Sequence, residues 1–84
     1  LLGTSLEMAR KWSDAAEAFM RAYEAADVEY LKARYLLDAG RAYSEAGKKE
    51  EAATAYRTVI TKHPKSSSMT EAQVRLAELT GGKM

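Results

Sequence analysis

The sequence predicts an all-α fold, and three observations support this. Strand-forming residues are scarce among the 84 residues, with three Val, one Ile and one Phe, whereas Ala, Leu, Glu, Lys and Arg, which lose little on entering a helix, are abundant. The single proline, Pro64, comes late, so nothing interrupts the first sixty residues. Apolar side chains recur three and four residues apart. We therefore expect one small domain of antiparallel helices.

The first third of the chain is expected to hold two helices. Leu2, Leu6 and Ala9 recur at helical spacing and predict a short first helix whose beginning is missing. The apolar residues from Trp12 to Ala26 recur at intervals of three and four and predict a second helix. The start of the sequence without Met further predicts that the chain begins inside a longer protein.

Three further helices are expected after residue 26. The third starts near Asp27, whose carboxylate would cap the first turn, and stops at Gly47, because glycine enters the left-handed C-cap conformation without steric cost. The fourth helix, residues 48–62, ends because the residue before Pro64 is pushed out of the helical region. Ser68 and Glu71 predict a capping box that opens the fifth helix, which ends near residue 79.

The apolar residues divide into small and large side chains. Of the 46% that are apolar, which is 39 residues, 16 are alanine. Alanines on the inner stripes of the helices predict close helix crossings, since a methyl group lets two backbones approach. Larger aromatic residues are predicted to fill the wider gaps between the crossings: Trp12, Phe19, Tyr35, Tyr43 and Tyr56. Tyr23 shares the helical spacing of Trp12 and Phe19 and is also assigned to the core.

Composition argues against several classes of function. The 13 basic and 12 acidic residues leave a net charge of +1, which gives no electrostatic case for nucleic acid or an anionic membrane surface. No stretch approaches the ~18–20 apolar residues of a membrane span. With no cysteine and one histidine, we expect no disulfide, no metal site and no cofactor.

The lone histidine gives no support for catalysis. A general base needs an orienting partner, and a metal site needs several ligands. The position of His63 before Pro64 is better explained as a helix terminus, where a partly cationic imidazole is favoured by the helix dipole. Gly81 and Gly82 do not form a phosphate loop, because no strand precedes them and no helix follows them. We therefore expect a protein that is not an enzyme.

An internal repeat is visible when the sequence is shifted by 37 residues. Small residues, alanines and aromatics then fall on each other in two segments. The matched positions are Leu2-Gly3 with Ala39-Gly40, Leu6 with Tyr43, Trp12 with Lys49, Ala15 with Ala52, Phe19 with Tyr56, and Ala22 with Val59. Periods of this length are typical of helical repeat proteins.

Residues 33–64 resemble one tetratricopeptide repeat. The matching residues are Leu36, Ala39-Gly40, Tyr43, Gly47, Ala52, Tyr56 and Pro64. We therefore expect a single domain, residues 1–84, with a truncated repeat at 1–27, a full repeat at 28–64 and a closing helix and tail at 65–84. The truncated repeat carries Arg10 where glycine is commoner, and the period is about three residues longer than usual.

The resemblance implies a protein–protein interaction scaffold without catalysis. In this family the first helix of each repeat lines a groove that binds peptides, and the positions that map onto it are Arg34, Leu37, Asp38, Arg41 and Glu45, with Arg75 and Glu7 beside them. The family's carboxylate clamp uses lysines and asparagines, but this sequence has no asparagine and places Leu37 where a clamp lysine would be. A second interpretation, an exposed salt-bridged stripe, remains open.

The same resemblance leaves a structural alternative open. Repeat units bury their faces only against neighbours, so the chain could be the end of a longer array or a self-associating module. Since half of the first helix is missing, Trp12 and Phe19 are expected to be partly uncovered, and we expect a dimer or an exchange of helices. Residues 56–79 are also similar to repeats of bacterial periplasmic and membrane-anchored scaffold proteins, which implies a place in the bacterial cell envelope.

Overall fold

The protein is built from helices that run one after another with short connections. The structure, a computed structural model, describes residues 2–81, with side chains from residue 8 onward. Within that part of the chain there are four helices and no strands: α1 at Leu2–Ala25, α2 at Glu29–Glu45, α3 at Lys49–Lys62 and α4 at Ser68–Leu79. α1 packs on α2, α3 packs on α2, and α4 packs on both α3 and α2. The all-α prediction is therefore confirmed.

The expectation of five helices is wrong, because the first two are one helix. α1 continues without a break from Leu2 to Ala25. Between the two expected helices lie Arg10 and Lys11, and both are good helix formers. No glycine or proline occurs there, so nothing offers the backbone an alternative to the next helical turn.

The ends of α2 and α3 lie where glycine and proline indicated. Gly47 has φ of +83°, in the left-handed region, and its amide bonds to the carbonyl of Ser44. α3 stops at Lys62, immediately before His63 and Pro64. Both ends follow from the backbone chemistry of single residues.

Both predicted N-caps are wrong. The residue that precedes α2 is Val28, in an extended conformation and without a side-chain cap, so Asp27 lies one position too early. α4 is preceded by Ser67 in a helical conformation, and Ser68 is itself buried and already inside the first turn of the helix. The hydroxyl of Ser66 donates to the carbonyl of His63 at 2.8 Å. The chain thus enters α4 through a bonded turn, which takes the place of a capping box.

The core lies between α2, α3 and α4. Its largest fully buried side chains are Tyr56, Leu36 and Val59. Alanines occupy much of the rest, and eight are buried: Ala16, Ala33, Ala39, Ala42, Ala52, Ala53, Ala55 and Ala72. Four of the seven alanines expected at crossings are among them, whereas Ala15, Ala22 and Ala46 are only partly covered. Small side chains therefore do mark the helix contacts, most strongly in α2 and α3.

α2 and α3 approach each other closely at Gly40. A Cβ atom placed on Gly40 would lie 2.6 Å from Cε1 of Tyr56, well inside contact distance. The Tyr56 ring thus lies directly on the backbone of α2. Glycine is required here for lack of space rather than for an unusual backbone angle.

His63 links the end of α3 to the start of α2. Its Nδ1 donates to the carboxylate of Glu29, and its ring meets Tyr23 edge to face with centroids 6.0 Å apart. The residue is 6% exposed, and Nε2 is buried with no hydrogen-bond partner among the described residues. The side chain is therefore a structural contact between two helix ends.

Candidate binding groove

An open groove of about 590 Å³ receives side chains from all four helices. α1 supplies Trp12 and Phe19, and α4 supplies Arg75, Glu78 and Leu79. The remaining lining residues come from α2 and α3: Asp38, Arg41, Ala42, Ser44, Glu45, Lys49 and Tyr56. We call this surface the groove.

Three charged residues of α2 enter the groove from one side of the helix. Asp38, Arg41 and Glu45 are spaced three and four residues apart, so they follow one another along a single face. No ion pair within 4.0 Å joins any two of them, or joins them to Arg34, in the part of the chain that the structure describes. The charged side chains of this stripe are thus not paired with one another and are available to bind a ligand.

Arg75 approaches the groove from α4 with carboxylates already beside it. Its guanidinium lies 3.6 Å from Glu71 and 3.7 Å from Glu78, both on the same helix. These exposed pairs contribute a few tenths of a kcal/mol each, about 0.3–0.5. The charge of Arg75 is therefore partly neutralised, whereas Arg41 has no ion pair among the described residues.

Two of the six predicted groove residues lie elsewhere. Leu37 is buried in the core, because it is one residue on from the exposed face of α2 and the helix turns it toward α3 and α4. Arg34 is exposed but is not among the residues that line the groove, and it lies one turn before Asp38 on α2. The side chain of Glu7, also named, is outside the described residues. The other four predicted residues, Asp38, Arg41, Glu45 and Arg75, meet in one groove.

Trp12 and Phe19 are the groove residues that sequence reasoning assigned to the core. Trp12 is 37% exposed, and Phe19 is only partly covered. Their helical spacing shows that they share a face, but it does not show whether that face has a partner. Both side chains were nevertheless expected to be partly uncovered, and the structure confirms this exposure.

Tyr56 forms part of the groove floor. Burial raises the pKa of its hydroxyl, while the nearby cations Arg75 and Arg41 lower it without cancelling the shift. Tyr43 also has a raised pKa, again mainly from burial, with smaller contributions from Glu17 and Glu51. The Tyr56 phenol is therefore protonated at neutral pH and able to donate a hydrogen bond to a ligand in the groove.

The chemistry of the groove fits recognition of a chain with both apolar and charged groups. Its cations are Arg41, Lys49 and Arg75, and its anions are Asp38, Glu45 and Glu78, so the two signs balance. Trp12 and Phe19 add apolar area at one wall. Aromatic and arginine side chains are the types enriched in protein interfaces.

Among the described residues, no group of three or more His, Asp or Glu side chains is placed to hold a metal ion. No helix in that part of the chain combines the length and the apolar character needed to cross a membrane.

Comparison with known proteins gives one match. A family model described as Tetratricopeptide repeat matches residues 1–67 and, in a second placement, residues 37–81. Searches of the curated proteins and of the solved structures found no match. The similarity to periplasmic scaffolds stays a prediction.

Proposed function

Because this chain belongs to the tetratricopeptide repeat family, whose repeats mediate protein–protein interaction, we propose that it binds a protein or peptide segment in the groove. The observation that carries the proposal is the meeting of Arg41 with Trp12 and Phe19 in one open recess. Arginine and aromatic side chains are the types that contribute most of the binding energy in protein interfaces. Here an arginine without an ion pair lies beside two partly exposed aromatic side chains.

The partner segment has mixed chemistry. The balanced charges of the groove select neither a strongly acidic nor a strongly basic chain. A segment with apolar side chains for Trp12 and Phe19 and an acidic group for Arg41 fits best, since a guanidinium forms charge-assisted hydrogen bonds to a carboxylate. The absence of asparagine and the burial of Leu37 argue against the clamp that holds a C-terminal carboxylate.

We propose that the chain has no catalytic activity of its own. Tetratricopeptide repeats form a family of interaction scaffolds rather than catalysts. The lone histidine supports this, because His63 is buried outside the groove and directs Nδ1 to Glu29. As organisation we propose one domain over residues 1–84, in which α2 and α3 are the helices of the full repeat at 28–64 and residues 65–84 close it.

Reversal of one charge tests the groove. Replacement Arg41→Glu should weaken a captured partner's affinity about tenfold to a hundredfold, since hydrogen bonds to charged groups contribute about 1.5–3 kcal/mol. Arg34→Glu is the matched control, because it makes the same charge change on the same helix but outside the groove. The partner is captured from a lysate, identified by mass spectrometry and then titrated as a purified protein.

The two variants separate the groove from the general charge of the chain. Equal loss in Arg34→Glu and Arg41→Glu would show a long-range electrostatic effect and not a site. Full affinity in Arg41→Glu would place the interaction elsewhere on the molecule.

A further inference from the structure

One face of α1 carries partly exposed side chains at positions that correspond, under the internal repeat, to fully buried side chains of α3. Under the shift of 37, Ala15, Phe19 and Ala22 correspond to three residues of α3. Those equivalents are Ala52, Tyr56 and Val59, with exposed fractions of 0%, 2% and 0%. In α1 the same three positions are only partly covered. The difference has a simple origin, because α2 covers α3 on this side and no described element covers α1 there.

The sequence contains a segment equivalent to the part of α2 that covers α3. Residues 2–9 correspond to residues 39–46, which are the C-terminal part of α2 and its C-cap residue. The family model matches from residue 1. In the second copy, Gly40 allows Tyr56 to lie against α2. The equivalent pair is Gly3 and Phe19. Both belong to α1, 16 residues apart, which is about 24 Å along a helix.

Arg10 explains why residues 2–9 do not fold back. The residue that ends α2 is Gly47, with φ of +83°, and its equivalent under the shift is Arg10. A residue with a Cβ atom is strained in the left-handed conformation, so the turn is disfavoured and the helix continues. α1 has 24 residues and its antiparallel neighbour α2 has 17. The first two turns of α1 therefore continue beyond the length that α2 can pair.

We propose that the occupant of the groove wall is a second copy of this chain, which exchanges residues 2–9. This rests on the proposed function and names the partner of the same groove. Two α1 helices would cross antiparallel about a two-fold axis near Arg10, so that each delivers its first two turns to the other. Repeat equivalence then sets three apolar pairs between the copies: Leu2 opposite Phe19, Leu6 opposite Ala15, and Ala9 opposite Trp12. By symmetry each pair forms twice.

Charge supports the same partner and the same direction. α1 is antiparallel to α2, so an α1 helix from a second copy, antiparallel to the first α1, runs parallel to α2. The incoming segment carries Glu7 and, four residues later, Lys11. α2 presents Arg41 and, four residues later, Glu45, both in the groove. In two parallel helices, equal spacing with opposite signs brings both pairs into register.

A cysteine pair tests the exchange directly. The chain has no cysteine, so Gly3→Cys with Phe19→Cys gives two thiols that one straight helix holds about 24 Å apart, too far for a disulfide within the chain. We expect oxidation to link two chains, seen as a dimer without reductant. The control pair, Gly3→Cys with Glu24→Cys, should stay unlinked. A link within one chain, or no link, would overturn the exchange.

Restoring the turn is the second test. Arg10→Gly supplies the residue found at Gly47, so residues 2–9 can fold back on their own chain. Sedimentation equilibrium should show the wild type at twice the mass of one chain. Arg10→Gly should raise its dissociation constant about tenfold or more, whereas Arg10→Ala should leave it unchanged. A wild type with the mass of one chain at every concentration would overturn the inference. If an Arg41-dependent partner is still captured in that case, the proposed function stands and only its assignment to a second copy fails.

Discussion

Gly40 sets the distance between α2 and α3. A methyl group there would meet Cε1, Cδ1 and Cζ of Tyr56 at 2.6–3.0 Å, and the ring, which is almost fully buried, has little room to move. This contact holds together α2 and α3, the two helices of the full repeat at residues 28–64.

Replacement Gly40→Ala should therefore destabilise the fold by about 1–3 kcal/mol through overpacking. An exposed helical glycine would respond with the opposite sign, since alanine is the better helix former by about 1 kcal/mol. Urea denaturation measures the change. In a Tyr56→Leu background the penalty should shrink, because the two positions share one contact. A gain in stability from Gly40→Ala alone would contradict the close crossing.

Tyr56 predicts a loss of stability at high pH. Burial raises its pKa above the ordinary value of 10.0, so the folded state holds the phenolic proton more tightly than the unfolded state. The stabilisation is complete below pH 10.0 and is lost as the pH rises through the higher folded value, because the unfolded chain releases its proton first.

The variant Tyr56→Phe should lose less stability than the wild type between about pH 8 and about pH 11. Urea midpoints at the two pH values measure this difference. Some decline should remain in the variant, since Tyr43 also has a raised pKa. Parallel declines in the two proteins would show that Tyr56 titrates as it does in the unfolded chain.

At the scale of the elements, α2, α3 and α4 were predictable to within two or three residues, and the separation of the first two helices was not. Gly47 and Pro64 end their helices by local backbone chemistry, which sequence reveals directly. The break near Arg10 was predicted from two separate apolar patterns, at residues 2–9 and 12–26, although the helix propensity of Arg10 and Lys11 opposed it. Repeat similarity shows which segments are equivalent, but local residues decide whether each turn forms.

The contact between His63 and Glu29 could not be read from the sequence, because the two residues are 34 positions apart. It joins the end of α3 to the start of α2. His63→Ala should cost about 1–3 kcal/mol, through loss of the buried ring and of a hydrogen bond to a carboxylate.

A double-mutant cycle measures this contact. Glu29→Gln keeps an acceptor but removes its charge, so it should cost less than His63→Ala, and the two changes together should cost less than their sum. Strict additivity in urea denaturation would show that the two side chains do not interact in solution.

At the scale of the whole molecule, the four helices of the described residues surround an open groove. The charged residues Asp38, Arg41 and Glu45 were predictable, because helical periodicity puts them on one face. The partial exposure of Trp12 and Phe19 was also predicted and is confirmed. Their meeting with Arg41 in one recess was not predictable, because it depends on how the helices pack together. The groove thus lies at a position that a helix of the neighbouring repeat occupies in repeat proteins.

Trp12 is the only tryptophan of the chain and stands at the groove wall, 37% exposed. Its fluorescence therefore reports directly whether another chain covers this surface. As chain concentration rises, the emission maximum should move to shorter wavelength, with the same midpoint as dimer formation. Phe19→Glu places a charge at the same wall and should keep the emission of the dilute wild type. The account of the groove as the binding surface would be contradicted if the emission maximum stayed constant at all chain concentrations and also did not change when a captured partner was added.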